Sequence, residues 1–226
     1  MKPHRTCTRI AAVTRIEVVV IIAVVGFIAL AVLPAVSAAK QQAQVQQCTN
    51  NLKVVALSFL EWTLEPRGEP CGRQGYYFPM GTSVTNGGTM ELVEKAEAVV
   101  HFQALSTNLT DLKSLVCPAD KERVAAVSLD ANFGNQNLSY FIDLDTTKDG
   151  SGTNILAGDR NLTLNGAPVP PGVLKLPADS AVGWSKEIHK RWGQLVFADG
   201  HAEMYINSLQ PFLKATGFAT NRLAIP

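Results

Sequence analysis

The chain has 226 residues, 46% of them hydrophobic, with 20 Lys and Arg against 19 Asp and Glu and a formal net charge of +1. That length has room for one membrane segment and one medium-sized domain. The balanced charge excludes a dedicated nucleic-acid binder, which needs a concentrated basic surface, and the hydrophobic content is that of a globular protein with one added span.

Residues 1–15 carry Lys2, Arg5, Arg9 and Arg15 and no acid; Glu17 then stands one position before a nearly unbroken apolar run over 18–33. A carboxylate at the edge of hydrocarbon is costly unless it is paired or neutralised, so Glu17 is a candidate functional group. The simpler reading is a residue that snorkels at the membrane edge beside Arg15. With the small residues up to Ala39 the run reaches the roughly 20 residues that a span requires. The bases ahead of it put the N-terminus on the cytoplasmic side and the C-terminal domain across the membrane. The same stretch, ending in Val36-Ser37-Ala38, also fits a secretory signal cut after Ala38.

The residues after Ala39 favour a continuous helix. Gln41, Gln42, Ala43, Gln44, Gln46 and Gln47 contain no breaker, and apolar positions then recur at Val45, Cys48, Leu52, Val55, Phe59 and Trp62, alternately three and four apart. That spacing marks one face of a helix. Pro66 and Gly68 end it by Glu65, which gives a helix roughly 70 Å long from about residue 16.

Beyond it, residues 66–81 read as a loop rich in Gly, Pro and aromatics, 90–105 as a helix, and 109–115 as a short turn or helix. Cys117-Pro118-Ala119-Asp120 marks a turn. Residues 138–144 and 155–157 read as strands around a polar loop, and 166–177, with four prolines and two glycines, as an irregular connection. Residues 194–198 and 201–206 flank Asp199-Gly200, which predicts a β-hairpin with a two-residue turn.

The N-terminal pattern resembles that of type IV pilin-like proteins, the prepilin family that includes the type II secretion pseudopilins. There a short basic leader ends in a small residue, a prepilin peptidase cuts after it, and a glutamate is the fifth residue of the mature chain. The resemblance implies that Ala12 ends the leader, that Val13 becomes the N-methylated terminus, that Glu17 is the fifth residue, and that Pro34 is the family's proline within the apolar helix. The chain departs from the family at Ala12, usually Gly, at Val13, usually Phe or another bulky residue, and at Arg15, usually uncharged. Further segments are similar to one branch of prepilin-like proteins: Cys48-Thr49-Asn50-Asn51-Leu52-Lys53, Tyr77-Phe78-Pro79, Leu115-Val116-Cys117-Pro118-Ala119-Asp120, Asn137-Leu138-Ser139-Tyr140-Phe141, Gly158-Asp159-Arg160-Asn161, and His189 succeeded at the branch's spacing by Asp199-Gly200.

The resemblance implies an α+β fold, with a long N-terminal helical spine packed on a small antiparallel sheet. Residues 1–12 are then the leader, 13–39 the transmembrane part of the helix, 40–65 its extramembrane part, and 66–226 the globular domain. The implied function is structural and non-enzymatic, with no cofactor. A single-pass subunit of a bacterial inner membrane, its domain in the periplasm, would be assembled into a filament or secretion pseudopilus. Its expected partners are the prepilin peptidase, other pilin-like subunits, and a secretion or pilus assembly platform. The competing reading is a signal-anchored or secreted extracytoplasmic binding module for glycans or calcium, and a third is a periplasmic hydrolase.

Loss of the leader removes Cys7 and leaves Cys48, Cys71 and Cys117. A disulfide is permitted outside the membrane. Cys48 with Cys117 is the pairing expected first, and Cys48 with Cys71 or free thiols throughout are the alternatives; the spacing matches no zinc pattern. Asp143, Asp145, Asp149 and Gly150 form an acidic loop that can be read as a calcium site, although its spacing is not that of an EF-hand and a solvated loop is the plainer reading. His189, Asp199 and His201 invite a metal or acid–base reading, but Asp199 is already accounted for by its turn. Asp159 and Arg160 are expected to form a structural ion pair.

Overall fold

The computed structural model describes residues 14–65, 77–94, 97–148, 152–190, 192–205 and 208–226. Helix α1 spans Arg15–Leu64 and contains Pro34. Its start is closed by a capping box: the backbone N–H of Thr14 donates to Glu17 Oε2 at 2.7 Å, and that of Glu17 to Thr14 Oγ1 at 3.3 Å. Each residue thereby satisfies a donor that the first turn leaves open. The chain divides into two compact units, Met1–Gln42 and Ala43–Pro226.

The apolar side chains in the described part of the first unit are exposed. In the second unit α1 buries one stripe: Cys48, Leu52, Val55 and Phe59 are fully buried, Trp62 is 2% exposed, and Val45 is half-buried. This is the face that the three-and-four spacing predicts.

The other α-helices among the described residues, α2 (Ala98–Gln103) and α3 (Gln210–Ala215), are short. Among the described residues nine strands are found, in chain order β1 (Tyr140–Asp143), β2 (Ile155–Asp159), β3 (Leu162–Leu164), β4 (Ala167–Pro168), β5 (Gly172–Pro177), β6 (Val182–Trp184), β7 (Gly193–Phe197), β8 (Ala202–Tyr205) and β9 (Thr220–Ile225). An antiparallel six-stranded sheet runs β5-β9-β1-β2-β7-β8, and a three-stranded one β4-β3-β6. This is the expected α+β layout of a long N-terminal helix with antiparallel sheet.

The central strands β1, β2 and β7 of the large sheet are buried on both faces. Tyr140, Ile142, Ala157, Val196 and Ala224 join the α1 stripe in one core cluster, whereas Phe141, Leu195, Phe197, Leu223 and Ile225 pack with Trp184 and Leu213 in another. Strand alternation sorts the two sets, and burial of each Leu- or Phe-sized side chain contributes about 1.5–3 kcal/mol. The pairing of β2 with β7 shifts between Ile155 and Ala157, so two steps on β2 oppose one on β7. Leu156 and Ala157 consequently both serve the α1-side cluster. The bulge reverses the alternation beyond it, which brings Asp159 to the α1 side; an unbroken period of two would turn it away.

Several local expectations are corrected. Residues 166–177 are not an irregular connection: they hold β4 and β5, and β5 forms an edge of the large sheet paired along its length with β9. Proline is tolerated at strand ends and edges, and the partner strand is distant in sequence. The described residues within 90–105 form a 3₁₀ turn over Met90–Leu92 and one short helix, α2, rather than one continuous helix. The Asp199-Gly200 hairpin closes through a three-residue loop, because Val196 pairs with Ala202 and the N–H of Phe197 donates to the His201 carbonyl at 3.0 Å. Only Gly200 of the dipeptide has positive φ, at 89°, as in a type I turn completed by a glycine bulge.

Gly193 lies flat against the indole of Trp184, where a Cβ would come within 1.8 Å of the ring. Replacing Gly193 with Ala is therefore expected to destabilise the domain by about 1–3 kcal/mol, read as a lower denaturation midpoint. An unchanged midpoint contradicts this packing.

Candidate functional site

Four chemically reactive side chains meet inside the second unit, each delivered by a different segment. Cys48 comes from the buried stripe of α1. Cys117 lies just past the 3₁₀ turn Leu112–Leu115 and opens a tight turn in which the N–H of Asp120 donates to the Cys117 carbonyl at 2.9 Å. Asp159 ends β2, beyond the bulge. His189 bridges to Trp192, with Lys190 in left-handed conformation at φ 53°.

One ligand-capable atom from each of Cys48, Cys117, Asp159 and His189 lies within 4.8 Å of the others, and all four residues are buried. Cys117 Sγ is 3.2 Å from His189 Nε2, and Cys48 Sγ is 3.5 Å from Asp159 Oδ1. His189 Nε2 stands 3.8 Å from Asp159 Oδ2. Tyr140 Oη adds a contact of 3.4 Å to Cys48 Sγ, and the backbone N–H of Gln194 donates to Asp159 Oδ2 at 2.8 Å.

The environment separates the protonation preferences of these groups. A hydrogen bond from Cys48, with His189 adding to it, draws the Cys117 thiol down to about 6 against the pull of burial. Burial pushes the Cys48 thiol well up. Burial also lifts Asp159 to about 7, and the neighbouring Cys117 adds to that. For His189 burial acts downward, but the Cys117 contact and the Asp159 charge outweigh it and raise the imidazole. The arrangement is suited to metal coordination or thiol chemistry, since it pairs nucleophilic sulfur with a proton-accepting ring.

A polar shell fixes the site to α1 and to the sheet. Arg160 donates from Nε and one terminal nitrogen to both oxygens of Asp120, at 2.8 and 3.0 Å, and Ser139 Oγ donates to the same carboxylate at 2.9 Å. Thr49 Oγ1 donates to Gln194 Oε1 at 2.7 Å, and Asn51 Nδ2 to the Val116 carbonyl at 2.9 Å. These bonds hold the strand and the cysteine turn against one face of the helix.

The residues singled out from sequence fall in several places. Ala12, Val13, Cys71, Asp149 and Gly150 lie outside the described residues. Glu17 caps its own helix. Cys48 and Cys117 come together as anticipated, but as free thiols rather than a disulfide: besides the hydrogen bond between them, Cys48 contacts Tyr140 and Asp159, and Cys117 contacts His189. The expected Asp159–Arg160 pair is replaced by Arg160 with Asp120 and Glu122, because Asp159 points to the α1 side. Asp199 accepts from the His201 N–H at 3.0 Å within its own turn, while His189 joins the cysteines. Asp143 is buried, and Asp145 pairs with Arg222.

Sequence reasoning missed that Asp159 and Tyr140 complete a site with Cys48, Cys117 and His189. A signal was present, since these residues, together with Asp120, Ser139 and Arg160, all belong to the segments that carry the prepilin-branch resemblance. Comparison of the chain with protein-family models, curated proteins and solved structures finds no match.

Arg160→Ala strands the Asp120 carboxylate, whose side chain is 1% exposed, and is expected to cost about 3–5 kcal/mol in denaturant unfolding, whereas a loss under about 1 kcal/mol contradicts a buried pair. A second expectation concerns Asp143, which burial lifts to about 7, so that its neutral form is favoured on folding. That contribution is complete below the unfolded carboxyl range and is lost as pH rises to about 7. Asp143→Asn should therefore gain on the parent chain between about pH 4 and pH 7, by a few kcal/mol, with the difference flat above. Parallel stability curves for the two proteins contradict this.

Proposed function

We propose that this chain is a structural pilin-like subunit, made as a single-pass precursor and assembled through its N-terminal helix into a filament or secretion pseudopilus. The observation that carries the reading is the apolar surface of α1 between Ile16 and Val36, where the large hydrophobic side chains are 45–76% exposed. A helix that is apolar all round needs lipid or other helices as its cover, and this one is long and apolar enough to cross a membrane. A subunit held first in the bacterial inner membrane and then among neighbouring helices has that cover in both states. The N-terminal resemblance supports the rest: cleavage by a prepilin peptidase between Ala12 and Val13, N-methylation of Val13, a cytoplasmic start and a periplasmic domain.

Glu17 acts twice in this account. In the single chain its carboxylate accepts from the N–H of Thr14 and, at 2.9 Å, from the Thr14 hydroxyl. In the assembly it neutralises the terminal ammonium of a neighbouring Val13, which apolar surroundings tolerate only as a pair.

Glutamine preserves the capping box but not the charge, so Glu17→Gln separates the two roles. The variant is expected to enter the membrane at the level of the parent chain, yet to be lost from the sheared filament fraction, and the same is expected of Glu17→Ala. Incorporation of Glu17→Gln at the parent level contradicts charge pairing as the basis of assembly.

A further inference from the structure

We propose that Cys48, Cys117, Asp159 and His189 bind one four-coordinate divalent metal ion of the zinc class. The site lies entirely within the second unit and does not depend on filament assembly. Zinc bonds of about 2.0–2.3 Å to nitrogen, oxygen and sulfur place tetrahedral ligand atoms about 3.3–3.8 Å apart. Cys117 Sγ to His189 Nε2 at 3.2 Å and Cys48 Sγ to Asp159 Oδ1 at 3.5 Å lie close to those edges, and His189 Nε2 is 3.8 Å from the other carboxylate oxygen, Asp159 Oδ2. The remaining pairs lie within 4.8 Å and close by small side-chain movements.

The donor set selects the ion. Two thiolates and an imidazole suit zinc and its borderline relatives, whereas calcium and magnesium require mostly oxygen ligands. The surrounding donors are placed as a metal site needs them. The Ala119 N–H bonds to the Cys117 sulfur, Tyr140 Oη lies 3.4 Å from the Cys48 sulfur, and the Gln194 N–H fixes Asp159 Oδ2 at 2.8 Å. Each anionic ligand thus has its own hydrogen-bond donor, which orients it and offsets its charge. All four ligands are buried, so no ligand position is left open to solvent, and the site is structural in kind. On binding, the two thiols release their protons to solvent, and the ion cross-links α1, the cysteine turn, β2 and the His189 segment.

The test uses the full chain in detergent, purified reduced and metal-free, then loaded with zinc or cobalt and desalted. The expected result is about one zinc per chain, with a cobalt spectrum that shows sulfur-to-metal charge transfer and the strong visible bands of tetrahedral coordination. Double substitution, Cys48→Ser with Cys117→Ser, should reduce bound metal to less than about a tenth. Because that variant can fail to fold, His189→Cys supplies a second reading: it should keep the ion and strengthen the sulfur-to-cobalt absorption, with three thiolates in place of two. A folded parent chain that takes up no metal after reduction overturns the proposal. So does cobalt bound without sulfur charge transfer, or a double-serine variant that binds as much as the parent.

Discussion

The stripe of α1 from Cys48 to Trp62, buried against one face of the six-stranded sheet, is the contact on which the domain depends. Strand alternation sends Tyr140, Ile142, Val196 and Ala224 to that face and leaves Phe141, Leu195 and Leu223 for the core behind it. The sheet therefore has no solvated side at its centre, and its strands read as nearly continuous apolar runs rather than alternating ones. Set within this apolar contact is a small polar island. Buried thiols, a carboxylate and an imidazole are tolerated there because each finds a partner, and the bulge in β2 is what turns Asp159 toward them.

One helix is written for two surroundings. Up to about Val36 its side chains are apolar on every side, and beyond the glutamines it becomes a helix with one buried face. Pro34 sits inside the first part, where its missing N–H removes one backbone hydrogen bond without ending the helix. The proposed function uses both parts: the domain is built around the amphipathic part, and the apolar part is left for lipid and for other subunits.

Features set by short-range periodicity are legible in the sequence, and those set by distant pairing are not. The buried face of α1 comes from six residues spaced three and four apart, and β1, β2 and the β7–β8 hairpin come from local apolar runs and Asp199-Gly200. Strand β9 and its partner β5 have no such signal, because they are joined across the domain and β5 is punctuated by proline. The site shows the same division. The helix face and the turn bring Cys48 and Cys117 together in the sequence reading, yet the contacts that bring Asp159 and His189 to them have no local pattern there. Asp159 reaches them only through a bulge, and His189 through a turn at Lys190, neither of which has a periodic trace. Sequence adjacency suggests Arg160 as the partner of Asp159, whereas the strand sends the two side chains to different surroundings.

The claim that α1 remains attached as an anchor and assembly helix is tested most directly by the N-terminal residue and mass of the protein recovered from membranes of a host with a prepilin peptidase. The account predicts a chain that begins at N-methylated Val13. A chain that begins at Ala39, its apolar helix discarded, or one that retains Met1 in full, would contradict it.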